Sequence, residues 1–354
     1  MFRQVGLEKL LDMREGYAPL RGVLGMSDPC VVRLDGRWTM FIGGMGWGFK
    51  TNILTARLPE GAPLDSPDWK FDTVPGHPSR PQRIIRQPAR GSWNRCLHSV
   101  CYVKGEVDGR PVERIYHAGR ATETVLSTTA PYRIGFLERR DGQWMSHPTP
   151  IEVQGIVGLE GVLEPKVEYA DGFWHMRYLA LTEVGDDKDG NHTILYSRSR
   201  DGETGWSDPV VFSDATAGFY DSVVLPDGDR FLLTLTRDSN LFGRNPYPKQ
   251  GIWLAASDTR GTRLEDWSPP DLVLDPDLDD DGWYRGGMCS PSPQWSDRPE
   301  TPRRLHVFFV AAAAAMPWWR RAARALRARR RLPVPSPFFF TIGRLDVDVD
   351  PHGA

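Results

Sequence analysis

The chain has 354 residues, 40% hydrophobic and 25% charged, with a formal net charge of −2. That balance excludes a disordered, fibrous or nucleic-acid-coating polypeptide and supplies apolar material for a large core. The 35 Gly and 30 Pro are spread along the whole length, which excludes a fold dominated by long helices, because both residues break helices and serve tight turns.

The opening stretch, MFRQVGLEKLLDMREG, carries acids inside its only apolar run. It lacks the apolar core of a secretory leader, and no window reaches the roughly 18 apolar residues of a membrane span. Four cysteines, Cys30, Cys96, Cys101 and Cys289, form no CxxC pair and have no histidine at zinc-finger spacing. A reduced, cytoplasmic setting is therefore expected, with no disulfide framework, structural metal or cofactor.

Read in chain order, one unit recurs: a short polar or acidic start, an apolar run, an Asp-Gly turn, an aromatic-rich run, a further strand and a Trp. Its first copy starts at Ser27-Asp28-Pro29, turns at Asp35-Gly36, continues through Trp38 to Ile42 and returns at 52–56, with Trp69 closing. The second starts at His98-Ser99-Val100, turns at Asp108-Gly109 and returns at 132–137 before Trp144. The third starts at Glu164-Pro165-Lys166, turns at Asp171-Gly172, and returns at 193–198 before Trp206. The fourth runs from Asp221 through Asp227-Gly228 to Trp267, and the fifth from Ser290-Pro291 through 305–309 to 338–342. Unit starts lie 57 to 70 residues apart.

Five antiparallel four-stranded units imply an all-β, five-bladed β-propeller spanning residues 1–354 as one domain, since a lone blade leaves both apolar faces bare. The residues ahead of the first strand are expected to close the ring on the last blade. The alternative is a β-sandwich with chance Asp-Gly turns. Trp38, Trp174 and Trp253 fall inside strands and are expected between blades.

The innermost strand of each blade lines a propeller's axis. The residues at the start of each first strand, Asp28, His98, Glu164, Asp221 and Ser290, are therefore expected to meet in one small volume. Several acids and an imidazole converging there would be costly to desolvate for structural reasons alone, so the axis is the candidate site. Each has a plainer reading: an Asx-type turn before Pro29 for Asp28, a salt bridge with Lys166 or an arginine for Glu164, and a backbone-bonded funnel residue for His98.

Ser27-Asp28-Pro29 followed by Asp35-Gly36-x-Trp38, and Leu163-Glu164-Pro165 followed by Asp171-Gly172-x-Trp174, resemble the five-bladed propeller glycosidases of glycoside hydrolase family 43 and related arabinanase, fructosidase and anhydrogalactosidase propellers. The resemblance implies a general base at Asp28 and a general acid at Glu164, cleaving a glycosidic bond with inversion. It also implies an acid in blade two, where this chain reads Trp93-Asn94-Arg95-Cys96-Leu97-His98. Either Asp221 supplies that charge, or His98 is itself an acid or base, or the reaction has changed.

Trp47, Trp93, Arg95, Tyr220, Arg237 and Arg285 are candidates, with Ser290, for holding a small-molecule or oligosaccharide substrate. Two rival functions stay open: a propeller recruited to specialised metabolism for elimination, cyclisation or group transfer on a sugar-like or polyketide-like compound, and a non-catalytic sugar-binding or scaffold protein.

Two stretches stand outside the repeat. Asp277-Leu278-Asp279-Asp280-Asp281-Gly282 imitates a calcium loop, but its twelfth position is Met288, so a solvated acidic loop is expected. Residues 311–331, with five consecutive alanines, Trp318-Trp319 and seven arginines, predict a basic helix whose 316–331 part is suited to a membrane surface or a protein partner, or to simple packing on the propeller base. No nucleic-acid partner is expected.

Overall fold

The computed structural model describes residues 2–12, 23–127, 129–153, 161–181, 192–237, 250–278, 282–313, 319, 323, 326 and 341–350. Five four-stranded antiparallel sheets make the propeller, four of them built from one sequence unit each and the fifth from three strands of its unit and the first strand of the chain. The first strand, β1 (Phe2–Asp12), is not part of the first blade. Blade one is β2 (Val23–Leu34), β3 (Arg37–Gly46), β4 (Thr51–Arg57) and β5 (Lys70–Phe71), followed by a small hairpin of β6 (Thr73–Val74) and β7 (His77–Pro81).

Blade two is β8 (Cys96–Val107), β9 (Arg110–Arg120), β10 (Tyr132–Arg140) and β11 (Gln143–Ser146). Blade three is β12 (Gly161–Ala170), β13 (Phe173–Leu181), β14 (His192–Ser199) and β15 (Val210–Ser213). Blade four is β16 (Phe219–Asp227), β17 (Arg230–Arg237), β18 (Ile252–Ser257) and β19 (Asp271–Leu274). Blade five takes β20 (Gly287–Trp295), β21 (Arg304–Ala312) and β22 (Thr341–Val349) from its own repeat, and its fourth strand is β1. β1 pairs antiparallel with β22, with Leu7 opposite Leu345, so the first strand of the chain closes the ring as the sequence predicts.

The Asp-Gly turns do what their chemistry requires. Asp35-Gly36, Asp108-Gly109 and Asp171-Gly172 all have positive φ at both residues, the geometry of tight hairpin turns that match strand twist. They join each inner strand to its neighbour and so set the inner strand's register.

Apolar faces pack between blades. Trp174 is fully buried and its indole N–H donates to the Glu106 carbonyl of the preceding blade, while that of Trp38 donates to Asp297 in the β20–β21 loop of blade five. Trp253, half-buried, packs edge-on to Phe219 within blade four.

The basic insertion departs from expectation at its start, because Ala311 and Ala312 end β21, where they are buried against the core. Trp319, Ala323 and Leu326 have helical conformation. The arginines of that segment and Asp279–Asp281 of the acidic loop lie outside the described residues. Among the described residues no helix is long and apolar enough to cross a membrane.

Candidate active site

Each inner strand carries one extra residue relative to its partner. Ser27 faces Gly43 but Cys30 faces Phe41, and the same slip separates His98 from Cys101, Leu163 from Lys166, Cys289 from Ser292 and Phe219 from Asp221. At four of these bulges a non-glycine residue sits in the left-handed region: Asp28 (φ 51°), Ser99 (φ 60°), Glu164 (φ 52°) and Ser290 (φ 54°). Such a conformation costs on the order of 1–3 kcal/mol per residue and collects at functional sites.

The bulges correct the sequence reading twice. The site residues lie inside the inner strands, not ahead of them, because the bulge itself turns each side chain toward the axis. In blade two the position equivalent to Asp28 and Glu164 belongs to Ser99. His98 is one residue earlier, where Ser27 and Leu163 stand in their blades. Gly43 makes room for this arrangement: a Cβ there would lie 2.5 Å from Ser27 Oγ and 3.1 Å from Asp28 Oδ2.

The inward side chains of all five blades join in one closed ring of polar contacts. Ser290 Oγ donates to Asp28 Oδ1 (2.6 Å), and the Ser290 backbone N–H donates to Asp221 Oδ2 (2.8 Å). The Ser99 N–H donates to Asp28 Oδ2 (2.8 Å), and its Oγ donates to Glu164 Oε1 (2.6 Å). Lys166 Nζ completes the circuit, 3.5 Å from Glu164 Oε2 and 3.2 Å from Asp221 Oδ1. Ser27 Oγ adds a 2.6 Å bond to Asp28, and Thr236 Oγ1 one of 3.2 Å to Asp221. His98 Nδ1 lies 2.8 Å from Ser99 Oγ and 3.9 Å from Asp28 Oδ2. Asp28, Ser99, Glu164, Asp221 and Ser290 are all buried.

Burial and the neighbouring carboxylates of Asp28 and Asp221 push the Glu164 carboxyl well above its ordinary range, against the opposing pull of Lys166 and the Ser99 hydroxyl. Burial alone would push Asp28 up as well. Attraction to His98 and Lys166 and the hydroxyls of Ser27 and Ser290 more than offset it, leaving Asp28 below its ordinary value. Burial pulls His98 below its usual value despite Asp28, so its imidazole is neutral at neutral pH and the cation beside these acids is Lys166. The ring therefore holds two acids with environments that drive them apart, Glu164 toward the protonated form and Asp28 toward the ionised form, the pairing that acid–base chemistry needs.

One ligand atom each from Asp28, His98 and Glu164 lie within 4.8 Å of one another, a spacing that invites a metal reading. The donor set argues otherwise. The carboxylate oxygens that face inward already accept from serine hydroxyls and backbone N–H groups, an ammonium stands beside Glu164, and of the His98 nitrogens Nδ1 is taken by Ser99, leaving Nε2 as the one ring nitrogen without a hydrogen-bond partner.

The remaining sequence candidates are not brought into the ring. Trp93 lies flat on His117, ring centres 5.3 Å apart, over the bare backbones of Gly119 and Gly135. Burial pushes His117 down to about 4. Arg95 pairs with Glu123 at 3.2 Å. Arg237 lies over Phe219 and Trp253 and donates to the Ala217 carbonyl. Tyr220 packs, half-buried, in the blade-four core next to Asp221, and Arg285 is exposed beside the Asp277 carbonyl. The backbone of Trp47 lies in a short helical turn after β3, and its side chain is outside the described residues. The sequence assigns no chemical part to Ser27, Ser99 or Thr236, and to Lys166 only that of a salt-bridge partner of Glu164.

No family model matches the chain, and no curated protein matches it in sequence. Solved structures do match its fold. A thermostable family-43 glycoside hydrolase aligns over 93% of this chain and 91% of its own at 13% identity, with a TM-score of 0.57. The catalytic domain of the Coprinopsis cinerea GH62 α-L-arabinofuranosidase aligns over 98% and 96% at 12% identity, TM-score 0.58. A mutant levansucrase of B. subtilis aligns over 95% and 86% at 9% identity, TM-score 0.60. The chain has the five-bladed propeller fold of these proteins, and at such identities the likeness is one of fold.

Proposed function

We propose that the chain is a glycoside hydrolase acting on a small glycoside or oligosaccharide, with Glu164 as general acid and Asp28 as its carboxylate partner. The observation that carries this reading is the opposed pair itself: two buried carboxyl groups at equivalent bulges of blades one and three, joined through Ser99, one driven toward the protonated and one toward the ionised form. Glycoside cleavage needs both forms at once, a proton for the leaving oxygen and a negative charge facing the anomeric carbon.

The stereochemical course turns on the separation of the two carboxyl groups. An intervening water needs carboxyl groups about 6.5–9.5 Å apart, whereas direct attack uses about 5–5.5 Å. One oxygen of Asp28 and one of Glu164 lie within 4.8 Å of each other; that is a nearest-atom distance and not the separation of the two carboxyl groups, so Asp28 is the carboxylate partner in either course, as the base that activates water or as the nucleophile. His98 takes a supporting part, since the Ser99 hydroxyl connects its Nδ1 to the acid carboxyl.

The test is turnover of p-nitrophenyl arabinoside, xyloside, galactoside and fructoside by the wild type and by Asp28→Asn and Glu164→Gln. Each substitution is expected to lower kcat by about 10²–10⁴, and proton NMR of the first-formed sugar tells inversion from retention. A wild type inactive on all substrates, or two variants of full activity, refutes the reading. Stabilisation by a sugar without turnover would favour a binding protein instead.

A further inference from the structure

Three carboxyl groups share the buried ring, and serine and threonine hydroxyls are neutral donors. Charges this close in a dry site repel strongly unless a cation is held among them. Lys166 is placed to be that cation. It follows Glu164 by two residues on β12, and its side chain is only 10% exposed. Its ammonium lies 3.2 Å from Asp221 and 3.5 Å from Glu164, on the oxygen that Ser99 does not touch.

Lys166 also borders an axial cavity of about 150 Å³ whose wall takes residues from all five inner strands, among them Cys30, Cys101, Val223 and Ser292. The groups that act on Lys166 are Asp28 and Cys30 on β2, Cys101 on β8, Glu164 on its own strand and Asp221 on β16, and Glu168 and Arg177 line the same cavity. The neighbouring thiols are not competing anions, since burial raises both Cys30 and Cys101.

We propose that Lys166 is a positioning residue, the built-in counter-cation of the site, which pairs with Asp221 and lies against Glu164 so that Asp28 works as a carboxylate in a ring that already holds two other acids. The part of this that concerns turnover rests on the glycosidase reading. The ammonium itself responds to the same neighbours: burial would lower its proton affinity, but Asp221, Glu164 and Asp28 outweigh burial and hold it above the ordinary lysine value.

The experiment compares pH profiles of kcat/KM for the wild type, Lys166→Met and Lys166→Arg. Removing the positive charge should raise the Asp28 titration, so the acidic limb moves to higher pH by about one unit, a roughly tenfold loss at a pH on that limb. Lys166→Arg, which keeps the charge, should restore the limb. A purely structural lysine would lower the melting temperature of Lys166→Met and leave the limb in place, which would overturn the proposal.

A second measurement needs no turnover and no variant. In wild-type protein labelled with nitrogen-15 lysine, one ammonium resonance should exchange slowly and stay protonated above the ordinary lysine value of 10.5. If every lysine titrates at or below that value, the proposal fails even where the enzyme is active. If the resonance is found but no glycoside is cleaved, the counter-cation stands and only the glycosidase reading falls.

Discussion

At the scale of single residues, Ser99 makes the sharpest contrast between what its type suggests and what its place does. It touches both acids, through its N–H to Asp28 and its Oγ to Glu164. Its hydroxyl favours the charged form of Glu164, so Ser99→Ala should raise the Glu164 carboxyl further. The sign follows directly: an acid with a higher pKa keeps its proton to higher pH, so the alkaline limb of kcat/KM moves up, by about one pH unit for a lost hydrogen bond of roughly 1.5 kcal/mol to a charged group. A pH profile reads this shift, and a limb that stays put would show that Ser99 only packs. In the sequence, chemical type drew attention to His98, while the strand register selects its neighbour. The information was present in a weak form, because Asp28-Pro29, Glu164-Pro165 and Ser290-Pro291 share one frame. Blade two has Ser99-Val100 in that frame, and a serine there carries no chemistry that would single it out. Asp28 and Glu164 were legible because an acid-proline pair opens both the first and the third repeat.

At the scale of elements, the blades were legible and the contacts within them were not. Asp-Gly turns mark hairpins locally, so strand order could be read, but which side chain lies over which strand depends on register between distant segments. Trp93 shows the consequence. Read alone it is a sugar platform; in the fold it lies against β9 and β10, over Gly119 and Gly135, and stacks on His117. A Cβ at Gly135 would come 2.3 Å from the Trp93 ring, and one at Gly119 would come 2.6 Å from it. Gly135→Ala should therefore destabilise the protein by about 1–3 kcal/mol, the usual cost of overpacking. The same change made in a Trp93→Ala background should cost close to nothing, since the clashing ring is gone. Urea unfolding of the four members of this cycle measures the coupling, and additive effects would mean that the glycine is needed for some reason other than the indole.

At the scale of the whole molecule, a propeller is only as firm as its closure, because an open ring leaves two blade faces and a sheet edge bare. The seam here is made twice over. On the outside β1 pairs with β22, and on the axis Ser290 of blade five donates to Asp28 of blade one, with Gln294 donating to the Val31 carbonyl across the same seam. Apolar and ionic contacts both hold the outer clasp, and their magnitudes differ. Leu11, opposite Ile342, is 3% exposed and packs with Val23, Phe308 and Ile342, whereas the Arg3–Asp348 pair at 3.0 Å has an arginine side chain 76% exposed. Leu11→Ala should cost about 2–5 kcal/mol, the range for a buried leucine that leaves a cavity, and Arg3→Ala no more than about 1 kcal/mol, as for other solvated ion pairs. Chemical denaturation of the two variants separates these contributions. Because the clasp and the site share one seam, Leu11→Ala should also lose activity on heating at the same lowered temperature at which it unfolds. If activity instead survives the loss of the clasp, the polar ring on the axis holds blades one and five together without help from β1.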